Sequence, residues 1–228
     1  MIFGGLERFT LIDYPGKTAC MVYTIGCNFH CPYCHNPELV NETVEITYTE
    51  KEIFDFLDER KKMIDGVVIT GGEPTIHKDL VAFIKKIKQK GFLVKLDSNG
   101  TNPEMMKEML EKKLVDYIAM DIKSPLSMYS KIVSRPVDIE KIKRSIKLIM
   151  KSQIDYEFRT TIVKSLLSPE DLEEIGREIK GAKNYYLQKF VSTKILNPQF
   201  QKKVTYSNEE FENFRNKLSK YVQNCGIR

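Results

Sequence analysis

The chain has 228 residues, 42% hydrophobic and 29% charged, with 36 Lys+Arg against 31 Asp+Glu for a net charge of +5. That composition is an ordinary globular one, long enough for one large domain or two small ones, and it excludes a disulfide-stapled miniprotein. The longest apolar runs, such as Gly66 to Ile69 and Tyr117 to Met120, fall far short of the ~20 residues of a bilayer span, so no membrane partner is expected. The Lys-rich stretches, Lys85 to Lys90 and Lys141 to Lys151, have helical apolar spacing and read as solvated faces, so no nucleic-acid partner is expected either. Met1 to Asp13 carries acidic residues and lacks a secretory pattern. The expected compartment is the reducing cytoplasm, where cysteines stay unpaired.

Residues 1–18 read as a lead-in that ends in a proline-glycine turn at Asp13-Tyr14-Pro15-Gly16. From Ala19 onward, short apolar runs alternate with longer amphipathic segments about six times, the rhythm of parallel strands joined by helices. The first strand is Ala19 to Thr24, with Cys20 inside it as a small apolar side chain. The loop after it reads Gly26-Cys27-Asn28-Phe29-His30-Cys31-Pro32-Tyr33-Cys34-His35-Asn36. Thiolates this close repel one another, so a metal centre that draws them together is the economical explanation. Two centres fit: a tetrahedral zinc completed by His30 or His35, or a 4Fe-4S cluster with one iron left without a protein ligand.

Thr49 with Glu52 makes a capping box, and Gly66 to Thr70 is the second strand, closed by Gly71-Gly72-Glu73-Pro74. Adjacent glycines allow backbone to approach a ligand closely. Leu80, Phe83, Ile84 and Ile87 follow helical spacing, and Gly91 supplies a left-handed stop. The third strand, Phe92 to Asp97, ends in Asp97-Ser98-Asn99-Gly100, and Asn102-Pro103 opens a helix. The fourth, Tyr117 to Lys123, ends in Asp121-Ile122-Lys123. The fifth, Asp155 to Val163, holds Arg159 in mid-strand, where a charge is costly unless it faces a ligand or a polar interior. Ser168-Pro169 starts the next helix, Tyr185 to Phe190 with Gln188 is the sixth strand, and Ser207 with Glu210 caps a last helix whose apolar face is Phe211, Phe214 and Leu218. Cys225, near the end of the tail, reads as a free thiol. The fold class is α/β and the chain reads as one domain: lead-in 1–18, core 19–190 and C-terminal extension 191–228. Periodicity does not choose between a full or partial barrel and an open doubly wound sheet; in all of them reactive groups collect at the carboxyl ends of the strands.

The Cys-x3-Cys-x2-Cys spacing, with an aromatic residue just before the last cysteine, resembles the radical S-adenosylmethionine (SAM) superfamily. The resemblance implies a partial (β/α)6 TIM-like barrel in which Cys27, Cys31 and Cys34 hold a 4Fe-4S cluster and SAM chelates the fourth iron. Tyr33, Gly71, Gly72, Glu73, Asp97, Ser98, Asn99, Asp121, Lys123, Arg159 and Gln188 would then contact SAM, with Asp97 and Asp121 matching a pair that binds a monovalent cation in one group of members.

The Asp-x-Pro-Gly element at Asp13 to Gly16 and the Leu-Asn-Pro stretch at Leu196 to Pro198 are similar to those of glycyl-radical enzyme activases, nearest the anaerobic ribonucleoside-triphosphate reductase activating group. That likeness implies reductive cleavage of SAM to a 5'-deoxyadenosyl radical, a glycyl-radical enzyme as partner, and a flavodoxin or ferredoxin as electron donor. Three rivals stand beside it: an activase of another glycyl-radical enzyme, a small-molecule enzyme like 7-carboxy-7-deazaguanine synthase, and a zinc-stapled binding module.

Overall fold

Each apolar run expected to be a strand is one, and the segments between them fold as helices because their apolar residues recur on one face. The computed structural model describes all 228 residues. In chain order the elements are β1 (Ile2–Thr10), β2 (Ala19–Thr24), α1 (Pro37–Asn41), β3 (Tyr48–Thr49), α2 (Glu50–Glu59), β4 (Gly66–Gly71), α3 (Leu80–Gln89), β5 (Leu93–Ser98), α4 (Pro103–Glu111), β6 (Tyr117–Asp121), α5 (Tyr129–Val133), α6 (Ile139–Lys151), β7 (Asp155–Ile162), α7 (Pro169–Glu178), β8 (Asn184–Lys189), α8 (Asn208–Leu218) and β9 (Asn224–Ile227). The capping boxes at Thr49, Ser168 and Ser207 are all formed, and Asn102 caps α4 ahead of its proline. No helix is long and apolar enough to cross a membrane.

All strands join one sheet in the order β3-β1-β2-β4-β5-β6-β7-β8-β9. From β2 to β9 every neighbour is parallel, while β1 runs antiparallel to both β2 and β3. The sheet curls strongly. Strands lie about 4.8 Å apart, so β4 and β8, four places apart, would be separated by roughly 19 Å if flat; yet Thr70 of β4 and Gln188 of β8 line one small cavity. The result is a partial barrel with β3 and β9 as its two free edges.

Three strands lie outside the six read from the sequence. The lead-in is largely β1, registered on β2 with Gly5 opposite Tyr23 and Glu7 opposite Met21. Gly4-Gly5 and Glu7-Arg8 interrupt its apolar alternation, which hides it from a periodicity reading. The two-residue β3 and the four-residue β9, with its Asn and Gly, are too short to announce themselves, and Cys225 sits half-buried in β9.

Successive strand residues face alternately outward, under the helices, and inward. The outward set, among them Val67, Ile69, Val94, Leu96, Ile118 and Met120, merges with the buried faces of α2 to α8 into the main core. The inward set of the lower barrel is a separate small cluster of Tyr14, Ala19, Met21, Val68, Tyr117 and Ala119. Tyr14, from the Asp13-Tyr14-Pro15-Gly16 turn, is 4% exposed and meets Tyr117 edge to face at 6.0 Å between ring centroids. A Cβ on Gly66 would lie 2.9 Å from the Tyr14 ring. The turn therefore inserts an aromatic plug into the barrel floor.

Candidate functional site

The loop after β2, from Gly26 to Asn36, carries three thiols on backbone that is neither helix nor strand, so its position is set from outside. Gly26 N–H donates to the Leu39 carbonyl (2.7 Å), Glu73 N–H donates to the Gly26 carbonyl (2.9 Å), and His30 N–H donates to the Val133 carbonyl (2.9 Å). The Asn28 amide donates to Thr101 Oγ1 and accepts from the Asn99 amide, each at 2.8 Å. Asn28 was not singled out in the sequence, because its role depends on a partner 71 residues away.

Cys27, Cys31 and Cys34 all line one cavity of about 240 Å³ at the carboxyl end of the barrel. Phe29 N–H donates to Cys27 Sγ (3.4 Å) and Asn36 N–H to Cys34 Sγ (3.5 Å). Burial dominates the thiol chemistry. It pushes Cys27 up to about 12, with Glu73 adding to the effect, and Cys31 up to about 11 despite the opposing charge of Lys123. Such thiols keep their protons at neutral pH until a metal displaces them.

No group of three or more His, Cys, Asp or Glu side chains is drawn together as the ligands of a single ion would be. Of the two histidines weighed as a fourth zinc ligand, His35 places Nε2 2.7 Å from the Val191 carbonyl and stacks on Phe190. Three thiols on one cavity, with His35 engaged by Val191, match the donor set of a 4Fe-4S cluster with one iron left open.

The ends of the strands complete the cavity. Gly71 and Gly72 line it, yet their tightest contacts are with the chain itself: a Cβ on Gly72 would lie 1.8 Å from the Gly26 carbonyl oxygen, and one on Gly71, at φ +111°, 2.5 Å from Thr24 N. The glycine pair thus lets the end of β4 press against the root of the cysteine loop, a need separate from the ligand approach expected of it. Glu73 is almost wholly buried and accepts from Thr75 N–H (3.1 Å), Thr75 Oγ1 (2.5 Å), Ser98 Oγ (2.8 Å) and Asn99 N–H (2.6 Å). Burial raises its pKa against the pull of these four donors.

Arg159 does face the barrel interior. Its Nε donates to Asp121 Oδ1 (2.9 Å) and its guanidinium to Asp97 Oδ2 (3.2 Å). The other oxygens are also taken, Asp97 Oδ1 by Lys95 and Asp121 Oδ2 by Lys123 at 2.9 Å. Burial would raise both carboxyls, but Arg159 with Lys95 holds Asp97 below its usual value, and Arg159 with Lys123 does the same for Asp121. Each of the four carboxylate oxygens therefore accepts from a cationic side chain in this arrangement. The charges that line the cavity are Lys123 and Arg159 against Glu73, Asp97 and Asp121, and Lys95 and Glu157 lie buried beside them, Glu157 4.0 Å from Arg159, so each cation has a carboxylate within reach. Lys95, 1% exposed, escaped the sequence reading because a lysine inside a strand ordinarily marks the solvent face.

Tyr33 lines the cavity with its hydroxyl buried and without a hydrogen-bond partner, an exception that points to a polar ligand atom. Ser98, Asn99, Lys123 and Gln188 line it too, so every residue named from the sequence for this site converges there. Thr70 and Thr161 line it without having been named; their short side chains carry no signal of their own.

Comparison with known proteins gives three findings. A family model described as the Radical SAM superfamily matches residues 21–179. A Methanocaldococcus jannaschii protein provisionally named a glycyl-radical enzyme activating enzyme is 36% identical over 232 residues, covering 100% of this chain and 95% of the relative. A second protein of that organism, named in the same way, is 31% identical, with 82% and 70% covered. Among solved structures, a radical SAM methyltransferase from Sphaerobacter thermophilus matches with a TM-score of 0.73 at 16% identity, over 96% of this chain and 68% of that one, a likeness of fold.

Proposed function

The chain belongs to the radical SAM superfamily, whose members work with a 4Fe-4S cluster and SAM, and from that premise we propose that it installs a glycyl radical on anaerobic ribonucleoside-triphosphate reductase. The cluster would be held by Cys27, Cys31 and Cys34, with SAM in the adjoining cavity. When bound and reduced by a flavodoxin or ferredoxin, this pair supplies a 5'-deoxyadenosyl radical able to take a hydrogen atom from a glycine of the partner.

The chain's own residues bind, orient and exclude water. The Arg159 guanidinium and the Lys123 ammonium are the cations that line the cavity, and they would meet the SAM carboxylate. Glu73, with its oxygens already fixed by four donors, offers a preset negative group to the SAM ammonium. The unpartnered Tyr33 hydroxyl and the Gln188 amide are polar groups on the same cavity that would serve the adenosine part. No side-chain general base is required, since the chemistry moves a hydrogen atom rather than a proton.

The observation that carries the reading is the convergence of three cysteines from one loop with strand-end groups of β4, β5, β6, β7 and β8 on a single cavity. The activase assignment rests on full-length likeness to the Methanocaldococcus jannaschii relative, and the choice of reductase on the Asp13 to Gly16 element. The test is anaerobic incubation of reduced, iron-loaded protein with SAM and the reductase, followed by electron paramagnetic resonance. A glycyl radical on the reductase that depends on SAM and reductant is expected. Deoxyadenosine without that radical favours a small-molecule substrate, and a radical formed only on another glycyl enzyme reassigns the partner.

A further inference from the structure

The two halves of the cysteine loop are anchored by different parts of the chain. The first half is tied to strand ends and to two short helices: Gly26 to Leu39 of α1 and to Glu73, Asn28 to Asn99 and Thr101, His30 to Val133 of α5. The second half, which carries Cys34, is reached from a segment far along the chain, residues 191–197 between β8 and the short turn of helix at Pro198–Lys202. Leu196 N–H donates to the Cys34 carbonyl (2.9 Å) and Asn197 N–H to the Pro32 carbonyl (3.0 Å). The Val191 carbonyl lies 2.7 Å from His35 Nε2, and Lys194 pairs with Glu38. Ile195 is 7% exposed and belongs to the same apolar cluster as Cys31. Asn197 caps the helical turn through its side chain, donated to by Gln199 N–H at 3.0 Å, so the segment is itself held at its far end.

We infer that residues 191–197 form a strap whose backbone N–H groups at Leu196 and Asn197 position Cys34, and that the strap sets how long this cysteine keeps its place as a ligand. The inference rests on the assignment of Cys34 to the cluster proposed above. Its physical basis is local. A loop without secondary structure holds a side chain in place through its external ties; the hydrogen bonds and ion pair from the Pro32 to Glu38 stretch to distant parts of the chain come from the strap, beside the burial of the Tyr33 ring and the stacking of His35 on Phe190, whereas Gly26, next to Cys27, is tied to Leu39 and Glu73. Leu196 and Asn197 are thus positioning residues, and they act through the main chain, which is why their side chains gave no sign of the role.

The test separates N–H from side chain. Leu196→Pro deletes the donor to Cys34; Leu196→Ala keeps it. In the metal-free full chain under native conditions, alkylation by iodoacetamide mapped by mass spectrometry should reach Cys34 about tenfold faster in Leu196→Pro, the loss expected for one buried hydrogen bond, with Cys27 unchanged. Leu196→Ala should stay within about twofold of the parent. In the anaerobically reconstituted protein, Leu196→Pro should surrender iron to excess chelator faster in the same proportion. Unchanged Cys34 reactivity in Leu196→Pro, equal acceleration at Cys27 and Cys34, or a Leu196→Ala variant as labile as Leu196→Pro each overturns the inference. Should Leu196→Pro fail to fold, His35→Phe keeps the ring against Phe190 and removes the tie to Val191. Faster alkylation of Cys34 alone supports the strap, and no change rejects it. A parent protein that takes up no iron while Cys34 still responds to the strap variants would fail the cluster assignment and leave the strap standing.

Discussion

At the carboxyl end of the barrel the inward-facing positions are Thr70, Asp97, Asp121, Arg159 and Gln188. Two to four residues earlier on two of the same strands, β4 and β6, or on β2 beside them, they are Val68, Ala119, Tyr117 and Met21, closed from below by Tyr14. Two charged residues stand at the depth of that dry set, each two positions before a residue of the mouth: Lys95 beneath Asp97 and opposite Val68 and Tyr117, and Glu157, fully buried opposite Ala119, holding Arg228 at 2.8 and 2.9 Å and accepting from the Tyr117 hydroxyl at 2.8 Å. The inner face of one sheet thus changes from mainly apolar to charged over a rise of about 13 Å, four residues of strand. Stability should reside in the floor and ligand chemistry in the mouth. Arg159, which lines the mouth and holds both of its buried aspartates, is a place where one substitution should harm both.

The largest effect is therefore expected at Arg159. Arg159→Met keeps much of the volume but leaves Asp97 and Asp121 each short of a donor in a buried site, a loss of about 3 kcal/mol by the usual cost of breaking buried ion pairs. It should also abolish SAM binding, as measured by equilibrium dialysis on the reconstituted protein. Retention of both stability and binding would show that the aspartates answer to Lys95 and Lys123 alone. At the floor, Tyr14→Ala empties a packed aromatic site and should cost about 3 kcal/mol in denaturant unfolding while SAM binding by the folded fraction is unchanged. A fall in SAM affinity there would break the division of labour by depth. Smallest of all, Tyr14→Phe should cost less than about 1 kcal/mol, because the ring supplies the packing.

The same division governs what the sequence reveals. The six core strands and their helices were legible because each carries its own apolar period and its own caps, as at Thr49, Asn102, Ser168 and Ser207. The mouth of the barrel was legible because chemistry-bearing residues stand next to strand ends. What stayed hidden depends on pairing between distant parts of the chain. The aromatic plug needs Tyr14 to meet Tyr117 and the strap needs Leu196 to meet Cys34; Lys95 is a near neighbour of Asp97 and was hidden instead because only the closed barrel buries that face of β5. The Asp13 to Gly16 turn shows the gap well. Its resemblance marked the group of proteins, while its place in the fold gives Tyr14 a packing task that no local pattern announces.

The most direct measurement of the central claim is anaerobic, dithionite-reduced turnover of SAM by the reconstituted chain and by its Cys31→Ala variant, with deoxyadenosine quantified by chromatography. The account predicts deoxyadenosine from the parent and none above background from Cys31→Ala, the variant keeping the parent's far-ultraviolet circular dichroism. Deoxyadenosine formation at the parent's rate in Cys31→Ala, or a parent that binds stoichiometric zinc and cleaves no SAM, would contradict it.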